Sequence, residues 1–186
     1  MQSFAETLSV ATRATLLIGL AVATLVLAAL HEKLFKPVKE LGGGRIIALE
    51  LARTPNRARS VLGSWSIPGT KAARRAIYVD FAFLVAYATF FALACGSLAG
   101  VIGERTWQWM ATAVSWAGAG ALAAGVLDAL ENLFMLRTID AYLNNSGIAA
   151  LDTRGAWFAA SLKFLLLLLV VVALLGGLWV LAAGAA

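Results

Sequence analysis

Four long apolar stretches, at about residues 10–30, 77–102, 107–136 and 157–181, decide what this chain can become. Each has the roughly 20 residues that an α-helix needs to cross a bilayer. Inside lipid a backbone must satisfy its own hydrogen bonds, so isolated segments of this kind fold as helices. With 61% hydrophobic and only 13% charged residues over 186 positions, no polar stretch is left that would make a separate soluble domain. The reading is an all-α membrane protein: one domain over residues 1–186, four transmembrane helices in a bundle. The first stretch is a retained helix rather than a signal peptide. It is too long for the apolar core of such a peptide and ends in His31-Glu32-Lys33 instead of a small-residue cleavage site. The single cysteine, Cys95, sits among Ala, Leu and Gly and reads as packing; it has no second cysteine to pair with.

The connections between spans are unequal. Gly103-Glu104-Arg105-Thr106 makes a tight hairpin between the second and third spans, and a modest polar loop around Asn144-Asn145-Ser146-Gly147 joins the third to the fourth. The connection over about 31–76 is long and basic. It carries Lys33, Lys36, Lys39, Arg45, Arg53, Arg57, Arg59, Lys71, Arg74 and Arg75 against Glu32, Glu40 and Glu50. The positive-inside tendency puts it in the cytoplasm, and four spans then leave both termini outside, most simply in a bacterial inner membrane. The expected partners of this loop are anionic lipid headgroups rather than nucleic acid, because its charges are interleaved with apolar residues beside two spans. Protein partners in the membrane, or further copies of the chain, remain open.

Within that connection, one or two short amphipathic helices are expected to lie in the headgroup plane. Ile46, Ile47, Leu49, Leu51 and Ala52 form the first. Thr54-Pro55 supplies a cap and a first-turn proline for a second, running through Ala58, Val61, Leu62 and Trp65. Gly42-Gly43-Gly44 reads as a hinge or tight turn; the Gly-Lys-Ser/Thr ending of a phosphate loop is absent.

Polar residues at membrane depth are the candidate functional residues. Asp128, Glu131 and Asn132 fall near the end of the third span, and a carboxylate there costs on the order of 2.5–3.5 kcal/mol to insert. Spacings of three and four put all three on one helical face, which continues through the small residues Ala117, Ala121, Ala124 and Gly125. They are therefore expected to face protein. The topology brings His31, Asp80 and Lys163 to a similar depth, and Tyr87 shares the Asp80 stripe one level deeper, where it and His31 would line a cavity. Each has a plainer alternative. The acids would pair with Lys163 and Arg137 only to hold helices together, Asp80 would serve the helix dipole, and His31 would be a solvated boundary residue. The fourth span, nearly pure Leu and Val after Phe164, reads as a lipid-facing wall with Lys163 as its one charge.

The runs Leu49-Glu50-Leu51-Ala52-Arg53-Thr54-Pro55 through Trp65, Tyr78-Val79-Asp80-Phe81, Leu127-Asp128-Ala129-Leu130-Glu131-Asn132 and Ser161-Leu162-Lys163 resemble a group of small, uncharacterised four-helix bacterial membrane proteins. The resemblance covers about Leu49 to Lys163. It implies a shared site of Glu50, Asp80, Asp128, Glu131, Asn132 and Lys163, and so adds Glu50 to the set. It lends no activity.

Such a site suits a cation or proton, or the polar headgroup of a lipid. Two other classes stay open: an accessory subunit of a larger membrane complex whose acids only fix helix packing, and a membrane enzyme using an acid pair on a lipid. No nucleophile motif, HExxH pair or serine or cysteine beside a histidine supports the enzyme. No catalytic residue, metal or cofactor is specified by the sequence.

Overall fold

The computed structural model describes residues 8–40, 45–104 and 107–183, and every regular element in them is helical. Six helices follow in order: α1 Val10–Glu40, α2 Ile47–Glu50, α3 Pro55–Ser64, α4 Ser66–Gly103, α5 Gln108–Leu143 and α6 Ala150–Ala183. Four of them, α1, α4, α5 and α6, are long and apolar enough to cross a membrane. The expected Gly42-Gly43-Gly44 turn, and Arg105 and Thr106 of the hairpin, lie outside the described residues.

The long helices overrun the apolar stretches. At a rise of about 1.5 Å per residue, the 38 residues of α4 extend about 57 Å, nearly twice a hydrocarbon core of about 30 Å. The extra length is the basic segment Ser66–Ala76, where helix continues into polar surroundings because Lys, Arg and Ala are good helix formers. Pro68 does not interrupt it, since a third-position residue has no intrahelical acceptor for its missing N–H. Likewise α1 runs past Leu30 and through Pro37 to Glu40, where Glu32–Lys39 and Lys36–Glu40 pair on its exposed surface.

The chain separates into two compact units. One holds Met1–Thr24, Val85–Gly125 and Lys163–Ala186; the other holds Leu25–Leu84 and Val126–Leu162. The first unit has a core of Cys95, Ala99, Ile102, Val114, Ala121 and Val170. Small residues set its spacing: a Cβ on Gly118 would lie 3.2 Å from the Cys95 Cβ and 3.3 Å from the Ala92 carbonyl oxygen, so α4 and α5 approach backbone to backbone there.

The second unit contains the end of α1, all of α2 and α3, the start of α4, the end of α5 and the start of α6. Its core joins Phe35 and Val38 of α1 to Ala58, Val61, Leu62 and Trp65, to Ala73, Ala76 and Ile77 of α4, and to Met135, Leu136 and Ile139 of α5. This corrects the expectation for the basic connection. α3 forms where the sequence places it, with the Thr54 hydroxyl accepting the Arg57 N–H at 3.3 Å and Pro55 opening the helix. Its apolar side, however, is buried in protein rather than laid into headgroups. Ala58, Leu62 and Trp65 have no exposed surface, because the overhanging starts and ends of the long helices offer them an apolar wall. The other expected amphipathic helix is reduced to the single turn α2, with Leu49 and Glu50 buried.

Candidate functional site

The inward face of α5 reads Val114, Gly118, Ala121, Ala124, Gly125, Asp128, Glu131, Asn132, Met135 and Ile139, all buried. Steps of three and four residues keep this line on one side of the helix, while Val126, Leu130 and Leu133 on the other side are exposed as lipid-facing residues are. Asp128, Glu131 and Asn132 therefore interrupt an otherwise apolar stripe. They are 4%, 0% and 1% exposed.

α4 supplies the partner. Its buried face steps through Ala73, Ala76, Ile77, Leu84 and Tyr87, and the half-buried Asp80 lies in the same series. The Asn132 side-chain amide donates to Asp80 Oδ2 at 2.8 Å. A hydrogen bond between an amide and a carboxylate at this depth joins α4 to α5 and fixes which way the Asn132 amide faces. The buried Glu50 closes α2 in the same unit, where Leu49 and Ala52 on either side of it are core residues.

The other residues singled out from the sequence have contacts of their own. His31, half-buried in the same unit, stacks on the Phe35 ring at 6.2 Å, and Phe35 in turn meets the edge of Trp65 at 5.6 Å. Tyr87 and Lys163 belong to the other unit, 4% and 6% exposed, with Lys163 Nζ 4.9 Å from the centre of the Phe164 ring. Arg137, considered as a partner of the acids, instead points outward, its guanidinium 3.7 Å from the Asp152 carboxylate.

Sequence reasoning missed other polar contacts of the second unit. Arg74 pairs with Asp140 at 2.9 Å, the Arg53 guanidinium lies 4.7 Å over the Trp157 ring, and the Thr153 hydroxyl donates to the Arg53 carbonyl oxygen at 3.4 Å. The available signal was that Arg74 and Asp140 both flank span ends. Reading Arg74 as one of many topology-setting charges hid it.

The donor chemistry bears on what the site can hold. Among the described residues no three His, Cys, Asp or Glu side chains are grouped so as to hold a metal ion. A chelated divalent ion needs several such oxygens at once. Proton exchange needs only one carboxyl, and an ammonium or hydroxyl group needs one or two acceptors. Comparison with protein-family models, with curated protein sequences and with solved structures finds no match.

Proposed function

We propose that this is a small polytopic membrane protein that binds a proton, or the amine or hydroxyl head of a lipid, at Asp80, Asp128, Glu131 and Asn132, with Glu50 at the margin. The observation that carries this reading is the burial of Asp128, Glu131 and Asn132 together on one face of an apolar helix. Helix adhesion within a membrane is met by small residues and neutral hydroxyls or amides; adding carboxylates makes insertion costlier without improving packing. A neutral amide also supplies something a carboxylate lacks, since its N–H₂ group holds Asp80 in place. The neighbouring acids are the acceptors for a donor group entering from the membrane interface. A bacterial cytoplasmic membrane, with the basic connection inside, is the setting that the charge distribution and the sequence resemblance support.

A second reading has its own observation. The Asn132–Asp80 hydrogen bond clamps α4 to α5, which is all an accessory subunit would require of these residues.

Replacing Glu131 by Gln separates the two, because it keeps shape and hydrogen-bonding capacity while removing the charge and the exchangeable carboxyl proton. The purified protein in neutral detergent is followed by melting temperature while pH and an amine-headed lipid are varied in turn. A wild-type response to either that is lost in a folded Glu131→Gln protein is the expected result. Identical flat responses would leave the clamp as the sole role.

A further inference from the structure

The second unit contains a cleft remote in chemistry from the acids. It measures about 450 Å³ and is lined by Arg59 and Gly63 of α3, Ile67 of α4, Tyr142 and Leu143 at the end of α5, and Asn145 of the following loop. Among the described residues no carboxylate lines it.

We propose that this cleft binds a phosphate group, that of an anionic phospholipid or of a free phosphate anion, with Arg59 as its charged anchor. Three other arginines of this unit are already engaged: Arg74 with Asp140, Arg137 with Asp152, and Arg53 with the Trp157 face. Arg59 meets no carboxylate among the described residues. Its Nη2 donates to the Ser146 carbonyl oxygen at 3.4 Å, which holds the guanidinium at the cleft wall and leaves further N–H donors for an anion.

The loop that receives Arg59 is itself fixed. Asn145 takes a left-handed φ of 52°, and the Ser146 N–H and hydroxyl both donate to the Ala141 carbonyl oxygen, at 2.9 and 3.0 Å. Tyr142 adds a hydroxyl with no hydrogen-bond partner among the described residues, and Asn145 adds an amide. Gly63 faces the Tyr142 hydroxyl, which would lie 3.8 Å from an added Cβ, so a side chain larger than alanine at this position would extend into the cleft. Ile67, 48% exposed, and Leu143 give the apolar edge that a lipid glycerol or upper acyl chain would follow.

Tyr142 lies about 9 Å along α5 beyond Leu136, the end of the apolar stretch, and the polar layers of a bilayer extend roughly 5–8 Å beyond each face of its hydrocarbon core, so the cleft sits at the water-facing edge of the headgroups, open to a lipid phosphate and to a free anion.

The test uses the full chain in neutral detergent, with two probes: inorganic phosphate alone, and mixed micelles of phosphatidylglycerol against phosphatidylcholine. Binding is read by melting temperature and by lipid retained in native mass spectrometry. Arg59→Gln is expected to weaken binding about tenfold, the loss of one charge-assisted contact. Gly63→Val should block the cleft while melting normally without ligand, which guards against a misfolded Arg59 variant. Arg57→Gln, an exposed arginine of α3 outside the cleft, should bind as wild type does. This pattern with phosphatidylglycerol only identifies the lipid; the same pattern with inorganic phosphate identifies a free anion. Equal losses from Arg57→Gln and Arg59→Gln would replace the site by a diffuse basic surface and overturn the proposal. So would indifference of the wild type to both probes.

Discussion

Among the described residues Trp65 is the largest side chain with no exposed surface, yet its indole N–H is buried with no acceptor among them. These two facts act in opposite directions. The ring fills the centre of the second unit's core against Phe35, and emptying such a site costs about 3–5 kcal/mol. A buried donor left without a partner carries a penalty of about 1–3 kcal/mol, which any side chain lacking it escapes. Trp65→Ala should therefore lower stability by about 3–5 kcal/mol. Trp65→Phe, which keeps most of the ring and removes the N–H, should stay within about 1 kcal/mol of wild type, the lost volume and the lost orphan donor offsetting each other. Unfolding in mixed micelles measures both. If the phenylalanine variant falls as far as the alanine variant, the N–H has an acceptor and the offset does not exist. The sequence gives no warning of this residue's position. Trp at an amphipathic helix end beside basic residues has the same local pattern whether the ring enters headgroups or protein, and only the overhang of α1, α4 and α5 decides between them.

Between α3 and α4 only Trp65 intervenes, and two residues govern this part of the chain. Thr54 starts α3 by accepting the Arg57 N–H, and Thr54→Ala should cost about 1 kcal/mol. At the other end Ser66 opens α4 with φ 58°, a left-handed conformation in which a Cβ is crowded. Ser66→Gly should thus be neutral or stabilising by up to about 1 kcal/mol, and Ser66→Val destabilising. Thermal unfolding of the three variants checks both ends together; a glycine variant weaker than the valine variant would show that the left-handed backbone at position 66 does not govern this turn. Thr54-Pro55 was legible because a cap and a first-turn proline act locally, on their own helix. The turn at Trp65-Ser66 was not, since serine has no preference for left-handed backbone and the geometry is imposed by α3 docking on its neighbours. The same contrast holds at the site. The shared face of Asp128, Glu131 and Asn132 follows from helical spacing alone, whereas the Asn132–Asp80 hydrogen bond spans 52 positions of sequence and depends on how α4 and α5 are rotated about their axes.

Across the whole molecule, the four apolar stretches fix the number of crossings, and the structure returns four helices long and apolar enough to make them. Burial along these crossings is uneven. Within the most apolar windows, 44% of α4 is buried but none of α1, as expected if lipid covers the outer surface of α1 and protein surrounds α4. What helices alone leave undetermined is direction, and here the charge distribution argues for one orientation. The basic connection ends in the overhanging start of α4, where Lys71, Arg74 and Arg75 follow α3 with Arg57 and Arg59, while the far end of α4 meets Glu104. Translocating the first group would carry many cations across the membrane, and retaining it on the cytoplasmic side also sets it against anionic lipid. Single cysteines at positions 57 and 104 report the direction, in a background where Cys95 is replaced by Ala. That change is tolerable because Cys95 is a small buried side chain whose Cβ, the atom that faces Gly118, alanine retains. In intact cells an impermeant maleimide should label position 104 and leave 57 untouched until the membrane is opened. Labelling at 57 first would reverse the orientation, and with it the side from which both the acid site and the Arg59 cleft are reached.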